Sequence, residues 1–180
     1  MDIDSLIERC KQEDRHAQQA MYDRYAPIML GVCRRYIEQL EDAEDVMIEG
    51  FYKIFNNLHQ FDARGHFEGW MKRIMINESL MWLRKRKLKL IELNDKLSIA
   101  SEDEDFNQLE LNSSEIIPLL DLLPAGYRTV FNLYVIEEYK HKEIAILLGI
   151  SINTSKSQLI LAKRKLKDII ELKKNPTLLK

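Results

Sequence analysis

Cysteine is nearly absent from this chain, with two residues in 180. Cys10 and Cys33 lie far apart on apparent helix faces, without a third or fourth ligand at metal spacing. A disulfide-stapled secreted scaffold and a structural zinc module are therefore excluded, and buried thiols in a reducing compartment are expected. No apolar run approaches membrane-span length. The start, MDIDSLIERCKQEDRH, is acidic and amphipathic and has no basic segment leading into an apolar one. A cytoplasmic protein, neither secreted nor imported, is expected.

Catalytic patterns are missing as well. His16, His59, His66 and His141 are scattered, with no serine, cysteine or carboxylate arranged around them. There is no phosphate-binding glycine loop, no dinucleotide turn and no HExxH pair. No enzymatic activity, no cofactor, no metal and no small-molecule substrate is expected.

What the chain does have is charge, and the formal net charge of −2 conceals how it is arranged. Every charged residue from Glu38 to Glu49 is acidic. From Met71 to Leu90 seven Lys/Arg face Glu78 alone, and from Glu92 to Glu115 eight acids face Lys96. From Lys140 onward ten basic residues face three acids. Such blocks are separate surfaces for separate partners, the basic ones suited to phosphate.

Helical periodicity dominates and no strand-like alternation competes with it. The spacing predicts helices at about 3–12, 15–25, 27–38, 41–58 and 67–89, with Pro27 in a first-turn position. After the acid-rich, apolar-poor stretch over 92–112, which reads as a flexible linker, come helices at about 114–122, 125–136, 140–148 and 152–173. Pro124 and Gly149 punctuate them. The fold class is thus all-α, two small helical domains joined by an acidic tether. The boundaries are 1–91, 92–112 and 113–175, with a tail at 176–180.

Three surfaces can carry function. KHKEIAILLGI followed by SINTSKSQLILAKRKL has helix-turn-helix proportions, with Ser151 able to cap the second helix. A helical wheel turns Ser155, Leu159, Ala162, Leu166 and Ile169 inward. It turns Lys156, Ser157, Ile160, Leu161 and Arg164 outward, with Gln158 and Lys163 at the flanks. Lysines there suit phosphates, and serine or glutamine near the helix start suits base edges. An ordinary hairpin with a solvated face is the alternative; turn, cap and wheel together favour DNA.

In HFEGWMKRIMINESLMWLRKRKLK, the residues Phe67, Met71, Ile74, Met81 and Trp82 fall on a core face. Beside them Trp70, Arg73, Asn77 and Arg84 share a stripe. A ring, an amide and two guanidinium groups suit single-stranded nucleic acid, although Trp70 alone fits the core better. The preceding FDARGHF loop, with its glycine, can accommodate an extruded nucleotide. On the 41–58 helix, Asp42, Asp45 and Glu49 stack opposite Ala43, Val46, Met47, Gly50, Ile54 and Leu58. That acidic face is either solvated or a dock for a basic protein.

With these residues in view, the chain resembles a bacterial extracytoplasmic-function (ECF) sigma factor. YDRYAPIMLGVCRRYI, DAEDVMIEGFYKIF, FDARGHFEGWMKRIMINESLMWLRKRK, LLDLLPAGYRTVFNLYVIEEYKHKEIAILLGIS and NTSKSQLILAKRKLK occur in that family's order and spacing over nearly the whole chain. The resemblance implies a promoter-specificity subunit that binds core RNA polymerase at its clamp and flap regions. Asp42, Asp45 and Glu49 would dock on the clamp. Arg64, Phe67, Trp70, Arg73, Asn77 and Arg84 would recognise and melt the minus-ten element. Thr154, Lys156, Ser157, Gln158, Ile160, Lys163 and Arg164 would read the minus-thirty-five element. It also implies an anti-sigma partner, often membrane-anchored. Ile48, Gln158 and Leu161 depart from the family's usual residues. A sigma-like decoy that binds an anti-sigma factor without touching DNA is the competing reading. A plain helix-turn-helix repressor would leave the first ninety or so residues without a purpose.

Overall fold

A computed structural model of the protein describes residues 2–62, 65–86 and 113–174. They fall into two compact units that divide between Arg86 and Lys87. The expected linker over 92–112 and the tail at 176–180 lie outside the described residues. All regular structure among the described residues is helical.

The first unit contains α1 (Ile3–Lys11), α2 (Arg15–Arg34), α3 (Leu40–Asn57), a 3₁₀ turn (Leu58–Gln60) and α4 (Phe67–Lys85). Asp2 caps α1 by accepting from Ser5 N–H at 2.9 Å. Asp14 caps α2, accepting from the backbone N–H groups of His16 and Ala17 at 2.9 and 3.2 Å. These carboxylates satisfy donors that no helical carbonyl can reach. Helix α2 was expected to break before Pro27, yet it runs through it. Pro27 removes one N–H, but the residue lies on the exposed face, while Met21, Tyr25, Met29 and Val32 keep both halves buried. Burial of one continuous apolar stripe outweighs the local defect.

The core is formed by α2, α3 and α4 packed on one another, with α1 laid against α2. Gly50 allows α3 and α4 to approach closely, since a Cβ there would run into the Met75 side chain. The acidic helix is buried as its wheel predicts: Ala43, Val46, Met47, Gly50 and Ile54 are inside, as is Leu58 just beyond it. Helix α4 differs from expectation. Phe67 and Met71 are buried, but Met75, Ile76, Leu80 and Leu83 complete its core side, Ile74 and Trp82 are half-buried and Met81 is exposed. Because α4 packs against both α2 and α3, its buried arc is wider than a single stripe and is centred differently.

The second unit contains α5 (Ser113–Leu120), α6 (Ala125–Phe131), a π-helical turn (Asn132–Ile136), α7 (His141–Leu148) and α8 (Ile152–Lys174). The buried Arg128 guanidinium ties the α5–α6 turn together, donating to the carbonyls of Asp121 and Leu123 at 3.0 and 3.2 Å. Helix α7 ends at Gly149, whose φ of 67° is left-handed, a conformation that costs glycine little. Ser151 then opens α8, its Oγ accepting from Thr154 N–H at 2.9 Å. The expected turn and cap are both present.

Candidate nucleic-acid and partner interfaces

On α3 the outward face starts acidic and becomes partly apolar. Glu41, Glu44, Asp45 and Glu49 are exposed. Among them stand Ile48 and Tyr52, one turn apart and 56% and 64% exposed. Asp42 is placed differently from its two expected companions. It is half-buried and accepts from Arg86 Nη2 at 2.9 Å, and the same guanidinium lies 4.5 Å from the centroid of Trp82. Asp42 therefore fastens the start of α3 to the end of α4, while Asp45 and Glu49 face solvent.

The outward stripe of α4 carries Trp70, Arg73, Asn77, Met81 and Arg84 on neighbouring turns; all but the half-buried Trp70 are exposed. Four of these are the expected residues, and Met81 joins them from what the sequence assigned to the core. Trp70 stacks on Phe67 at 5.9 Å and leans on Phe61 at 5.5 Å. Phe67 also meets Phe61 and Tyr25 edge-on at 5.1 and 5.8 Å. The indole is thus packed into an aromatic cluster that fixes its angle, and it stays half exposed. Phe67, expected on the core face and also at the minus-ten element, is buried within that cluster and supports Trp70. Arg64 lies outside the described residues. His66 caps α4, its Nδ1 accepting from Gly69 N–H at 3.1 Å.

Behind the stripe, Lys53 Nζ of α3 reaches Glu78 Oε2 of α4 at 2.7 Å. Glu78 is only 8% exposed and adjoins Asn77 in sequence. The lone acid of the basic block is thus a cross-helix tie that charge counting alone did not reveal.

On α8, Lys156 and Arg164 are exposed, and Ser157, Ile160, Leu161 and Lys163 are half-exposed. Two expected reading residues are buried. Gln158 has no exposed surface, and Thr154 is buried with its Oγ1 2.8 Å from Ser151 Oγ. At the far end Ile170, rather than Ile169, is buried. The reason is common to all three. Helix α8 packs against α5, α6 and α7 together, so its buried arc takes in the 154–158–162 edge and the single-stripe wheel does not apply.

A small bundle with an acidic outer helix and an aromatic-basic stripe, and a second unit holding a helix-turn-helix, define a nucleic-acid-binding protein with a protein-docking face. Comparison with known families makes this specific. Residues 21–89 match the Sigma-70 region 2 model and residues 113–166 match the Sigma-70, region 4 model. The ECF RNA polymerase sigma factor SigW of Bacillus subtilis is 27% identical over 172 residues, covering 88% of this chain and 91% of that protein. The ECF RNA polymerase sigma-E factor of Haemophilus influenzae is 24% identical over 179 residues, covering 93% and 94%. Among solved structures, the sigma factor RpoE of Bartonella quintana in complex with the anti-sigma factor NepR shares the fold. Its TM-score is 0.51 at 19% identity, covering 86% of this chain and 96% of that one.

The chain belongs to the ECF RNA polymerase sigma factors. Its function is promoter recognition on behalf of core RNA polymerase, and its partners are that enzyme and promoter DNA. Among the described residues no single helix is long and apolar enough to cross a membrane.

Proposed function

We propose a division of labour between the two units, acting in the cytoplasm and without chemistry of their own. Residues 1–91 dock on core polymerase and open the minus-ten element. Residues 92–112 tether this unit to residues 113–175, which bind the minus-thirty-five duplex. Asp45 and Glu49 meet basic side chains of the polymerase clamp, and Ile48 and Tyr52 add apolar contact between them. The observation that carries the proposal is the exposed α4 stripe, with Arg73 and Asn77 beside an indole whose angle is fixed by Phe61 and Phe67. Trp70 stacks on a base, Asn77 bonds a base edge and Arg73 holds the phosphate. A decoy that avoids DNA would have no need of that combination.

The test is Asn77→Ala. Losing one bidentate base contact costs about 1–3 kcal/mol of discrimination at one position. Binding to core polymerase should persist, because Asn77 is on α4 and the acidic face is on α3. Permanganate footprinting on a promoter-substitution series should show poor opening and relaxed preference at a single downstream base. If the variant opens every promoter as well as the parent protein does, Asn77 is structural. Charge reversal of Asp45 and Glu49 together should weaken core binding at moderate salt and leave helix content unchanged.

A further inference from the structure

His141 is the only histidine after His66 in the chain, so it alone can give the second unit a charge change near neutral pH. It opens α7, and its ring sits between two other elements. Tyr134 of the π-helical turn stacks on it, with centroids 4.4 Å apart and planes 23° from parallel. Its Nδ1 lies 2.9 Å from Oγ of Ser155, a fully buried hydroxyl in the first turn of α8. The ring thus joins the helix before the Gly149 turn to the helix after it. The Ser151 cap fixes where α8 begins, since its partner Thr154 is three residues away. The His141–Ser155 contact spans 14 residues and fixes how α8 is rotated against α7. Lys156 is the next residue along.

Charge links the same ring to the DNA-facing side. Burial first, then the positive charges of Lys156 and Lys163 on α8, hold the His141 pKa below its ordinary value. The π-helical turn contributes the Tyr134 phenol beside the ring. On α7 itself Lys142 and Glu143 follow in sequence and are exposed, and Glu143 accepts from Lys140 N–H at 2.7 Å. A phosphate brought to Lys156 or Lys163 offsets the field that opposes a proton on the ring.

We infer that His141 is a positioning residue for duplex recognition, setting the first turn of α8 through Ser155, and that duplex binding by this unit takes up a proton at the ring. This rests on the reading of Lys156 and Lys163 as phosphate contacts. By linkage, if DNA favours the protonated ring, protonation favours DNA by the same factor. Affinity should therefore rise as pH falls through the histidine range.

The experiment uses the full chain and a short mixed-sequence DNA duplex, which suffices because phosphate contacts do not depend on sequence. The His141 ring resonance, assigned by its loss in a variant, is titrated by proton NMR with and without duplex. Its midpoint should rise by about half a pH unit on duplex binding. Half a unit corresponds to about a threefold rise in affinity, approached only as pH falls from above both midpoints to below the midpoint of the free protein. His141→Asn places an amide near the Nδ1 position and does not titrate. It should keep near-parental affinity at the upper pH and lose the pH dependence contributed by this site. His141→Ala should lose both, with circular dichroism confirming a folded chain. An unmoved midpoint in the presence of bound duplex, or a parental pH profile in His141→Asn, overturns the inference. If Lys156→Ala and Lys163→Ala leave duplex affinity unchanged, the reading of α8 fails first and takes the inference with it.

Discussion

Burial pushes the thiols of Cys10 and Cys33 up to about 11, and for Cys10 the neighbouring Asp14 carboxylate adds to the effect. The nucleophile is the thiolate, so both should be inert in the native state. Neither should react with a thiol reagent at about pH 8, and both should react in denaturant; rapid native labelling would contradict this. A second expectation concerns Lys53 and Glu78. Lys53→Met leaves a carboxylate buried without its cation and should cost about 1–3 kcal/mol in urea unfolding, with the Lys53→Met/Glu78→Met pair recovering most of it. That pairing was not legible in the sequence, because its partners are 25 residues apart and meet only when α3 packs on α4. The two cysteines were legible as buried thiols, because their wheel positions and the lack of further ligands pointed the same way.

A wheel drawn from sequence finds the centre of an apolar stripe but not its edges. For α3, which packs against both α2 and α4, the acidic residues mark the outward face and the expected core side holds. Helix α4 meets two neighbours and α8 three, and those contacts set where the edges of their buried arcs fall. Gln158 and Thr154 thus lie in the interior of the second unit, and Met81 lies outside the core. The difference is measurable. Gln158→Ala should lower stability by about 1–3 kcal/mol with little change in base preference, as a buried truncation does. Lys156→Ala should leave the melting temperature unchanged, weaken duplex binding on all sequences and reduce the salt slope by about one. If Gln158→Ala alters base preference in a fully folded protein, the buried placement is wrong.

At the scale of the molecule, charge is allotted by unit and by face. An acidic outer face on α3 and a basic stripe on α4 share one small bundle, held in register by Asp42–Arg86 and Lys53–Glu78. The lysines and Arg164 of α8 occupy the other unit. Effects on core polymerase and on upstream duplex should therefore separate. Asp45→Lys should weaken the first and spare the second, and Lys156→Ala the reverse. Sites that belong to separate units and share no partner residue add within about 0.5 kcal/mol, so the double variant should show the sum of the two in a holoenzyme–promoter assay.

The all-α class, the division into two units, the glycine turn, the Ser151 cap and the charge blocks were all legible in the order of residues. Each depends on residues a few positions apart, where periodicity, backbone conformation and side-chain length act directly. The five ordered motifs likewise carried the family, because order and spacing survive at low identity. Which edge of α8 reaches solvent, the support of Trp70 by Phe67, the Asp42–Arg86 tie and the His141–Ser155 contact emerged only once the helices were packed. Each of these depends on which helices meet and at what rotation. That is fixed by the packing of whole apolar surfaces against one another, which no local spacing encodes.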